Sequence, residues 1–420
     1  MLKQILIVLG ILLVFGCADV SKENQLQTGC SEGSESTPAN EYVSPAPTPT
    51  PTPEPTPLSS VTSISSGDWH TCAVQSNNEV KCWGWNSSGQ LGDGTTISRN
   101  TAVSVAGLSS VSAVAAGREH TCALLSSNTI RCWGDNTYGQ LGDGTNTDRM
   151  TPVEVLGISS ATAIAANQRS TCTLLSDNTV KCWGTNDYGG LGDGTTISRN
   201  SPVSVSGISN ATSVSVGSRN ACASLNNGSI KCWGSNVAGE LGNGTATARN
   251  DCGYNSSTPK SLTPVAVSGI STSSKIYSDH EANCSLLSNN TLQCWGCNNF
   301  GGLGDGTTTN QTTPVAVNGI SSATEVSLGA GSTCAILSDK TVKCWGNNQN
   351  GQFGDGTTTN QTTPVVISGI SNVLAISSGD MLRCILSSDG TVKCVGYGLN
   401  GQLGDGSNSS KTSFSTVLTN

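Results

Sequence analysis

Short runs of Val, Ile, Ala, Thr and Ser alternate along the chain with clusters of Gly, Asn and Asp. In one representative stretch the runs are residues 111–116, 121–125, 129–133 and 151–156. Runs of this length that are bounded by turn residues predict short β-strands. Small sheets of such strands cannot bury both faces alone, and radial stacking of four-stranded blades removes that problem.

The pattern repeats, and each repeat includes a close copy of the segment Cys-Trp-Gly-x-Asn-x-x-Gly-Gln-Leu-Gly-Asp-Gly-Thr. Copies begin at Cys82, Cys132, Cys182, Cys232, Cys294, Cys344 and Cys394. The period is 50 residues except for one step of 62. Seven copies of this size are typical of a ring-shaped or solenoid repeat protein. We therefore predict an all-β fold, a seven-bladed β-propeller of four-stranded antiparallel blades, over residues 58–420.

The cysteines support this strand arrangement. Fourteen of the 18 cysteines form pairs ten positions apart: Cys72/Cys82, Cys122/Cys132, Cys172/Cys182, Cys222/Cys232, Cys284/Cys294, Cys334/Cys344 and Cys384/Cys394. In the last repeat, a three-residue loop ending at a left-handed Gly390 would place Cys384 opposite Cys394. Opposed residues lie ~4.5–5.5 Å apart, within disulfide range. The same left-handed position is occupied by Asn128, Asn178, Gly228 and Asn290.

Four cysteines fall outside this pattern. Cys252 lies in the insertion that lengthens one period, and Cys297 occupies a position that is not cysteine in any other repeat. We expect these two to form an eighth bridge. Cys30 has no evident partner, and Cys17 has a different role, described below. Disulfides indicate an oxidising compartment. The one Cys-x-x-Cys spacing, Cys294 and Cys297, joins two cysteines that are already assigned to different bridges, so we expect no zinc site.

The net charge of the chain argues against one class of partner. The formal net charge is −8 and only 11% of residues are charged. Nucleic-acid binding needs a basic face, so we expect no nucleic-acid partner. The acidity itself is explained by solubility, and we expect a monomer.

The N-terminus predicts export and anchoring. Lys3 precedes an apolar stretch, residues 5–15, that is too short to span a bilayer, and Gly16-Cys17 follows. This arrangement resembles the bacterial lipobox, which implies a signal peptide at 1–16 and lipidation of Cys17. Residues 17–57 then form a linker that becomes proline-rich and reaches about 40 Å over its last 13 residues. The expected location is the cell envelope, at the outer membrane or cell surface. An ordinary secretory signal and an uncleaved anchor are the alternatives.

Three motifs carry a family resemblance: residues 117–124, 128–134 and 139–145, with equivalents in the other repeats. They resemble the regulator of chromosome condensation repeat, which implies a seven-bladed propeller. The founding member exchanges guanine nucleotide on a small nuclear GTPase and binds chromatin, and a secreted bacterial member inhibits β-lactamases with one propeller face. The acidic charge, the cysteine pairs and the export signal depart from the founder. Exchange activity is therefore an alternative that rests on family analogy alone.

Residues repeated in every blade have structural explanations. The tryptophan of Cys-Trp-Gly, which is Val395 in the seventh repeat, is expected to pack between blades. Its occurrences are Trp83, Trp133, Trp183, Trp233, Trp295 and Trp345. The aspartate of the Gly-Asp-Gly turn is replaced by Asn243 in one repeat. We expect these side chains to cap their own turns rather than bind calcium. We assign no catalytic residue, no metal and no cofactor. An extracellular enzyme with a site in the central channel is a second alternative, which a bound metal or a tight cluster of carboxylates at the channel mouth would favour.

Two sets of loop residues vary between repeats and are the candidate binding site. The first set comprises the triplets before the first cysteine of each pair, which include Trp69, Arg118, Arg169 and Arg219. The second set follows the Trp-Gly pair and comprises Trp85, Tyr138, Tyr188, Phe300 and Tyr397. Aromatic and arginine side chains on loops are the usual anchors of protein recognition. We expect Trp69, Arg118, Arg169 and Arg219 to be exposed on one face and to bind a protein or a glycan. Neutral drift of exposed loops is the alternative.

The anchoring hypothesis is tested at Cys17. Cys17→Ser removes the thioether acceptor, so the protein should leave the membrane fraction or fail to mature. The measurement is membrane partitioning together with metabolic lipid labelling. The lipoprotein assignment is refuted if the variant partitions and labels like the wild type.

Overall fold

The computed structural model describes residues 54–245, 252 and 260–419. The proposed signal peptide, the Cys17 lipidation site, Cys30 and most of the linker lie outside the described residues. The described part of the chain consists of strands and turns, and it contains no helix of the length and apolarity needed to cross a membrane.

The strands form seven antiparallel sheets, which are the blades of a propeller. A short strand β1 (Thr56–Pro57) precedes them. Blade 1 contains β2 (Val61–Ser66), β3 (His70–Gln75), β4 (Val80–Gly84) and β5 (Arg99–Ser104). Blade 2 contains β6 (Val111–Ala116), β7 (His120–Leu125), β8 (Ile130–Gly134) and β9 (Arg149–Glu154). Blade 3 contains β10 (Ala161–Asn167), β11 (Ser170–Leu175), β12 (Val180–Gly184) and β13 (Arg199–Ser204). Blade 4 contains β14 (Ala211–Val216), β15 (Asn220–Leu225), β16 (Ile230–Ser235) and β17 (Lys260–Ala266).

The remaining blades follow the same order. Blade 5 contains β18 (Ser273–Asp279), β19 (Ala282–Leu287), β20 (Leu292–Gly296) and β21 (Gln311–Ala316). Blade 6 contains β22 (Ala323–Gly329), β23 (Ser332–Leu337), β24 (Val342–Gly346) and β25 (Gln361–Val366). Blade 7 contains β26 (Val373–Ser378), β27 (Leu382–Ser387), β28 (Val392–Gly396) and β29 (Lys411–Thr416). The predicted fold class is confirmed, and in blade 2 the predicted strands differ from the observed ones by at most two residues at either end.

Both ends of the propeller meet at blade 1. The last strand, β30 (Leu418–Thr419), pairs in parallel with β5 and antiparallel with β1. The Leu58 amide also donates to the Val417 carbonyl at 2.8 Å. These contacts close the ring, because the residues that follow blade 7 attach to the outer edge of blade 1.

The hairpin between the second and third strands of each blade has the predicted register. Gly390 has φ of 78°, and Cys384 lies directly opposite Cys394. All seven such pairs are disulfide-bonded, with Cα–Cα distances of 4.0–4.1 Å. Cys252 and Cys297 form an eighth bridge with Cα atoms 5.9 Å apart. The bridges therefore join the same pairs that the sequence analysis named, although the seven hairpin pairs are slightly closer than expected.

The Gly-Asp-Gly aspartates cap their own turns, as expected. Asp93 accepts hydrogen bonds from the amide and hydroxyl of Thr95 at 3.0 and 2.7 Å, and Arg99 reaches its other oxygen at 2.8 Å. Asn243 accepts the same two bonds from Thr245. An amide oxygen suffices for this cap, which explains why asparagine is tolerated there.

The core is made of layers between blades, and the repeated tryptophan lies in these layers. Each of the six indoles is buried and donates from Nε1 to a backbone carbonyl of the preceding blade, at 2.8–3.1 Å. In the second blade the acceptor is Gln90, and the side chain of Thr121 donates to the same oxygen. A Cβ on Gly92 would lie 2.7 Å from the Trp133 Nε1, so glycine lets the indole approach. The expected role in inter-blade packing is confirmed.

Blade 7 fills the same space with different residues. Val395 stands in place of tryptophan, and Arg383, directly opposite it, is buried. The Arg383 guanidinium donates to the Gln352 carbonyl at 3.0 Å, which is the equivalent acceptor in blade 6. Phe414 occupies the position against Gly354 that an indole has elsewhere. Burial lowers the pKa of Arg383 to about 9, so the guanidinium remains charged at neutral pH.

This substitution pattern gives a stability prediction. Arg383→Ala should lower the free energy of unfolding by about 2–4 kcal/mol, because it opens a cavity and leaves buried acceptors unpaired. The triple variant Arg383→Thr, Val395→Trp, Phe414→Pro rebuilds the arrangement of the other junctions and should recover most of the loss. Denaturant unfolding measures both, with Arg131→Ala on β8 as control. If Arg383→Ala is as stable as the control variant, the proposed role of Arg383 is contradicted.

Candidate functional site

The two variable loop sets lie on the same face of the propeller. In each blade the amide of the third residue after the second cysteine donates to the central carbonyl of the triplet. The Trp85 amide bonds the Trp69 carbonyl and the Tyr397 amide bonds the Met381 carbonyl, both at 2.9 Å. The same contact recurs in the other five blades. We call this side of the molecule the loop face.

The third residue of each triplet faces the next blade rather than solvent. His70 Nε2 lies 2.7 Å from Thr121 Oγ1, and His120 Nε2 lies 3.0 Å from Thr171 Oγ1. Both imidazoles are fully buried, and burial lowers their pKa values to about 3 and about 4. They are neutral at physiological pH, so their role is packing between blades.

The central residue of a triplet pairs with a residue of the preceding blade. The Arg169 guanidinium lies over the Tyr138 ring, 4.9 Å from its centre, and Arg219 lies over Tyr188 at 4.5 Å. In blade 2 the equivalent pair is a hydrogen bond from Ser88 to Glu119 at 3.1 Å. Each cation–π contact contributes roughly 0.5–2 kcal/mol and orients the guanidinium.

Phe300 follows the same rule with a different partner. The central residue opposite it is Gly331, and a Cβ there would lie 2.8 Å from the ring. The variable residues are thus matched across blade junctions, tyrosine with arginine and phenylalanine with glycine. This matching was not predicted from the sequence. The sequence does contain a sign of it: the residue six positions after the second cysteine of one pair varies together with the central triplet residue of the next repeat.

The expectation that the four triplet residues are exposed was wrong. Trp69, Arg118, Arg169 and Arg219 are half-buried, because each packs against neighbouring loop residues. Trp85, Tyr138, Tyr188 and Tyr397 are also half-buried, and Phe300 alone of the second set is exposed, at 37%. Arg118 also differs in position, since it is the first residue of its triplet rather than the central one.

Two clefts lie between these side chains. The first, which we call the arginine cleft, has a volume of about 130 Å³ and is lined by Arg118, Arg169, Arg219, Tyr138, Tyr188 and Asp187, among others. The second, the tryptophan cleft, has a volume of about 310 Å³. Its lining is Trp69, Trp85, Tyr397, Arg118, Glu119 and Asn400. Trp69 and Tyr397 meet edge to face with ring centres 6.1 Å apart. The structure brings together eight of the nine predicted binding residues in these clefts, and Phe300 lies elsewhere, in blade 5.

The first triplet residues gather at the mouth of the central channel, a cavity of about 220 Å³ lined by the innermost strands. Gln168 donates to Asp68 at 2.9 Å. His280 lies 3.1 Å from Asp279 through Nδ1 and 3.5 Å from Asp380 through Nε2. Three carboxylates and one imidazole from blades 1, 5 and 7 therefore share one partly buried site.

Burial and mutual charge perturb these groups strongly. Burial raises the pKa of Asp68 to about 7, although His280 opposes this shift. Burial would lower the pKa of His280, but Asp279, Asp68 and Asp380 raise it to about 10. The imidazole is thus a cation among carboxylates at neutral pH. Asp68, His280 and Asp380 also have ligand-type atoms within 4.8 Å of one another, close enough to surround one metal ion.

A cluster of carboxylates at the channel mouth is the feature that would favour an extracellular enzyme with a site in the channel. Each carboxylate has a partner inside the cluster: Gln168 for Asp68, and His280 for both Asp279 and Asp380. This pairing accounts for the cluster as a polar closure of the channel mouth. It does not identify a nucleophile or an acid–base pair aimed at a substrate.

Comparison with family models gives matches along the propeller. Two models of the Regulator of chromosome condensation (RCC1) repeat match it. One matches residues 61–90, 111–140, 161–189, 211–240 and 323–352. The other matches residues 77–124, 131–174, 177–224, 291–336 and 341–386, more than half of the chain. No curated protein sequence matches significantly.

Solved structures show the same fold at low identity. Yeast RCC1 (Prp20) bound to Kap60 has a TM-score of 0.70 and 18% identity, covering 81% of this chain and 83% of that one. Prp20p from Saccharomyces cerevisiae, studied with its binding to Gsp1p and histones, has a TM-score of 0.70, 19% identity and coverage of 81% and 85%. Human WBSCR16 has a TM-score of 0.70, 17% identity and coverage of 81% and 93%.

The channel-mouth cluster gives a pH prediction. The folded protein keeps the Asp68 proton up to about pH 7, whereas an unfolded chain releases it near 3.8, so this group makes stability fall as pH rises from about 4 to 7. Asp68→Asn should flatten that slope, by up to about 4 kcal/mol at pH 7–8 relative to pH 4. Thermal unfolding across pH 4–8 measures it.

The matched control is Asp187→Asn, an exposed carboxylate on the same face. It should keep the wild-type pH slope. A slope unchanged in Asp68→Asn would show that Asp68 titrates normally in the folded protein.

Proposed function

The chain belongs to the regulator of chromosome condensation repeat family, and from that premise we propose that it is a binding module rather than an enzyme. In this proposal it is anchored to a membrane through Cys17 and held together by disulfides. It binds a protein, or alternatively a glycan, at the cell envelope through the loop face.

The observation that carries the proposal is the set of matched aromatic and arginine side chains on the loop face. Tyr138 with Arg169 and Tyr188 with Arg219 form stacks at consecutive blade junctions. Such side chains lose little conformational freedom when a partner binds, because stacking has already oriented them. Tryptophan, tyrosine and arginine are also the residues that dominate binding energy in protein interfaces.

The scaffold supports the same interpretation. The loops extend from short antiparallel sheets, and each sheet has a disulfide across its two middle strands. Loops on a rigid scaffold are where binding residues concentrate. Family members with solved structures include yeast RCC1 bound to Kap60, and Prp20p with binding to Gsp1p and histones. These partners favour a protein ligand over a glycan.

The proposed location follows from the N-terminal segment and from the eight disulfides, which persist in oxidising compartments. This location argues against guanine nucleotide exchange, since such a factor must reach a cytosolic GTPase. Exchange activity therefore has only the family analogy in its favour.

A quadruple variant tests the loop face. Trp69→Ala, Arg118→Ala, Arg169→Ala and Arg219→Ala together should abolish capture of a partner from envelope extracts by the full chain. Each buried anchor that is lost should cost about 2 kcal/mol of binding free energy or more. The loss of stability should be moderate, because the contacts removed are half-buried surface contacts.

The matched control removes cations at equivalent strand positions of the same blades: Lys81→Ala, Arg131→Ala, Lys181→Ala and Lys231→Ala. It should capture the same species as the wild type. If the loop-face variant also does so, with thermal unfolding showing both variants folded, the loop face is not the binding surface.

A further inference from the structure

The arginine cleft is locally basic on an acidic protein. Its lining includes three arginines, Arg118, Arg169 and Arg219, and one aspartate, Asp187. The whole chain carries a formal charge of −8. Lys260 adds a further cation near its edge, 5.8 Å from the centre of the Tyr188 ring. The cleft therefore favours an anionic group where most of the surface would repel one.

Arg169 is the cation best placed to receive that group. Its guanidinium is stacked on Tyr138, and no carboxylate of the described residues lies within ion-pair distance of it. Its Nε is buried without a hydrogen-bond partner in the described part of the protein. A guanidinium held in this way presents planar donors that match the two oxygens of a carboxylate.

The surroundings limit how much negative charge the ligand carries. Arg118 connects the cleft to the channel mouth, where it lies near enough to Asp68 and Asp380 to affect their pKa values. A polyanion extending in that direction would meet the carboxylates of the mouth. The volume of about 130 Å³ is sufficient for one carboxylate-bearing side chain. The Tyr138 and Tyr188 rings offer apolar contact to its neighbours.

We infer that the arginine cleft binds a single aspartate or glutamate side chain of a protein partner, within a segment that is otherwise uncharged and partly apolar. The inference rests on the proposed binding function and specifies its ligand chemistry. Arg169 is the principal contact, and Tyr138 holds it in position.

The test uses two labelled hexapeptide libraries, random in uncharged residues at five positions, with Glu or Gln fixed at the third. The full chain should retain the Glu library about tenfold better than the Gln library, and added salt should reduce the difference. Arg169→Gln should abolish the preference. Arg169→Lys should retain part of it, because an ammonium keeps the charge but lacks the planar fork.

Arg131→Gln, at a cation on β8 that does not line the arginine cleft, is the matched control and should keep the full preference. Equal retention of the two libraries by the wild type overturns the inference, as does a preference that survives Arg169→Gln in a folded protein. An oligogalacturonate that binds through Arg169 while the Glu library does not would also overturn it, in favour of an acidic glycan.

The outcome is separable from that of the proposed function. If envelope capture is lost in the quadruple loop-face variant but persists in Arg169→Gln, only the carboxylate inference fails. If capture is unaffected by the quadruple variant, the proposed function fails.

Discussion

The hydrogen bond from each indole to a carbonyl of the preceding blade is the contact on which the rest of this fold depends. A four-stranded blade of five- to seven-residue strands has two apolar faces and cannot bury either of them by itself. The buried indole covers both sides of a junction, and its Nε1 satisfies a backbone carbonyl that would otherwise be buried without a donor. Glycine at the contact point is required for the approach, which explains the fixed Gly-Asp-Gly turn beside it.

Blade 7 shows that this constraint concerns the junction and not the tryptophan itself. Arg383 supplies the donor and Phe414 supplies the apolar volume, so the acceptor and the space are both satisfied by other means. A buried guanidinium is a costly way to fill such a site unless its donors are paired, and here Ser332, Ser378 and Gln352 accept from it. The ring can therefore close on a junction that differs from the other six.

Much of this arrangement could be predicted because the seven repeats act as an internal alignment. The 50-residue period, the ten-residue cysteine spacing and the left-handed Asn or Gly fix the hairpin register locally, within a few residues of chain. The details of the loop face depend instead on contacts between repeats. Whether Arg169 is exposed or stacked on Tyr138 is decided by residues about 30 positions apart, and pattern within one repeat does not contain that information. The convergence of Asp68, His280 and Asp380 was equally hidden, because three distant blades contribute to it.

The three residues of each triplet experience different structural constraints. The third residue packs against the next blade, as His70 does against Thr121, so its identity is constrained by the stability of the fold. The first residue faces the axis, where its charge couples to other blades across the channel mouth. The central residue, with its partner on the preceding blade, is the position that can vary most independently of the core. Because Arg169 is stacked on Tyr138 and Phe300 lies against Gly331, a change of side chain at one of these junctions involves two residues in adjacent repeats. Under the proposed binding function, specificity on this face would be encoded in pairs that span blade junctions, and each blade would contribute half of two neighbouring sites.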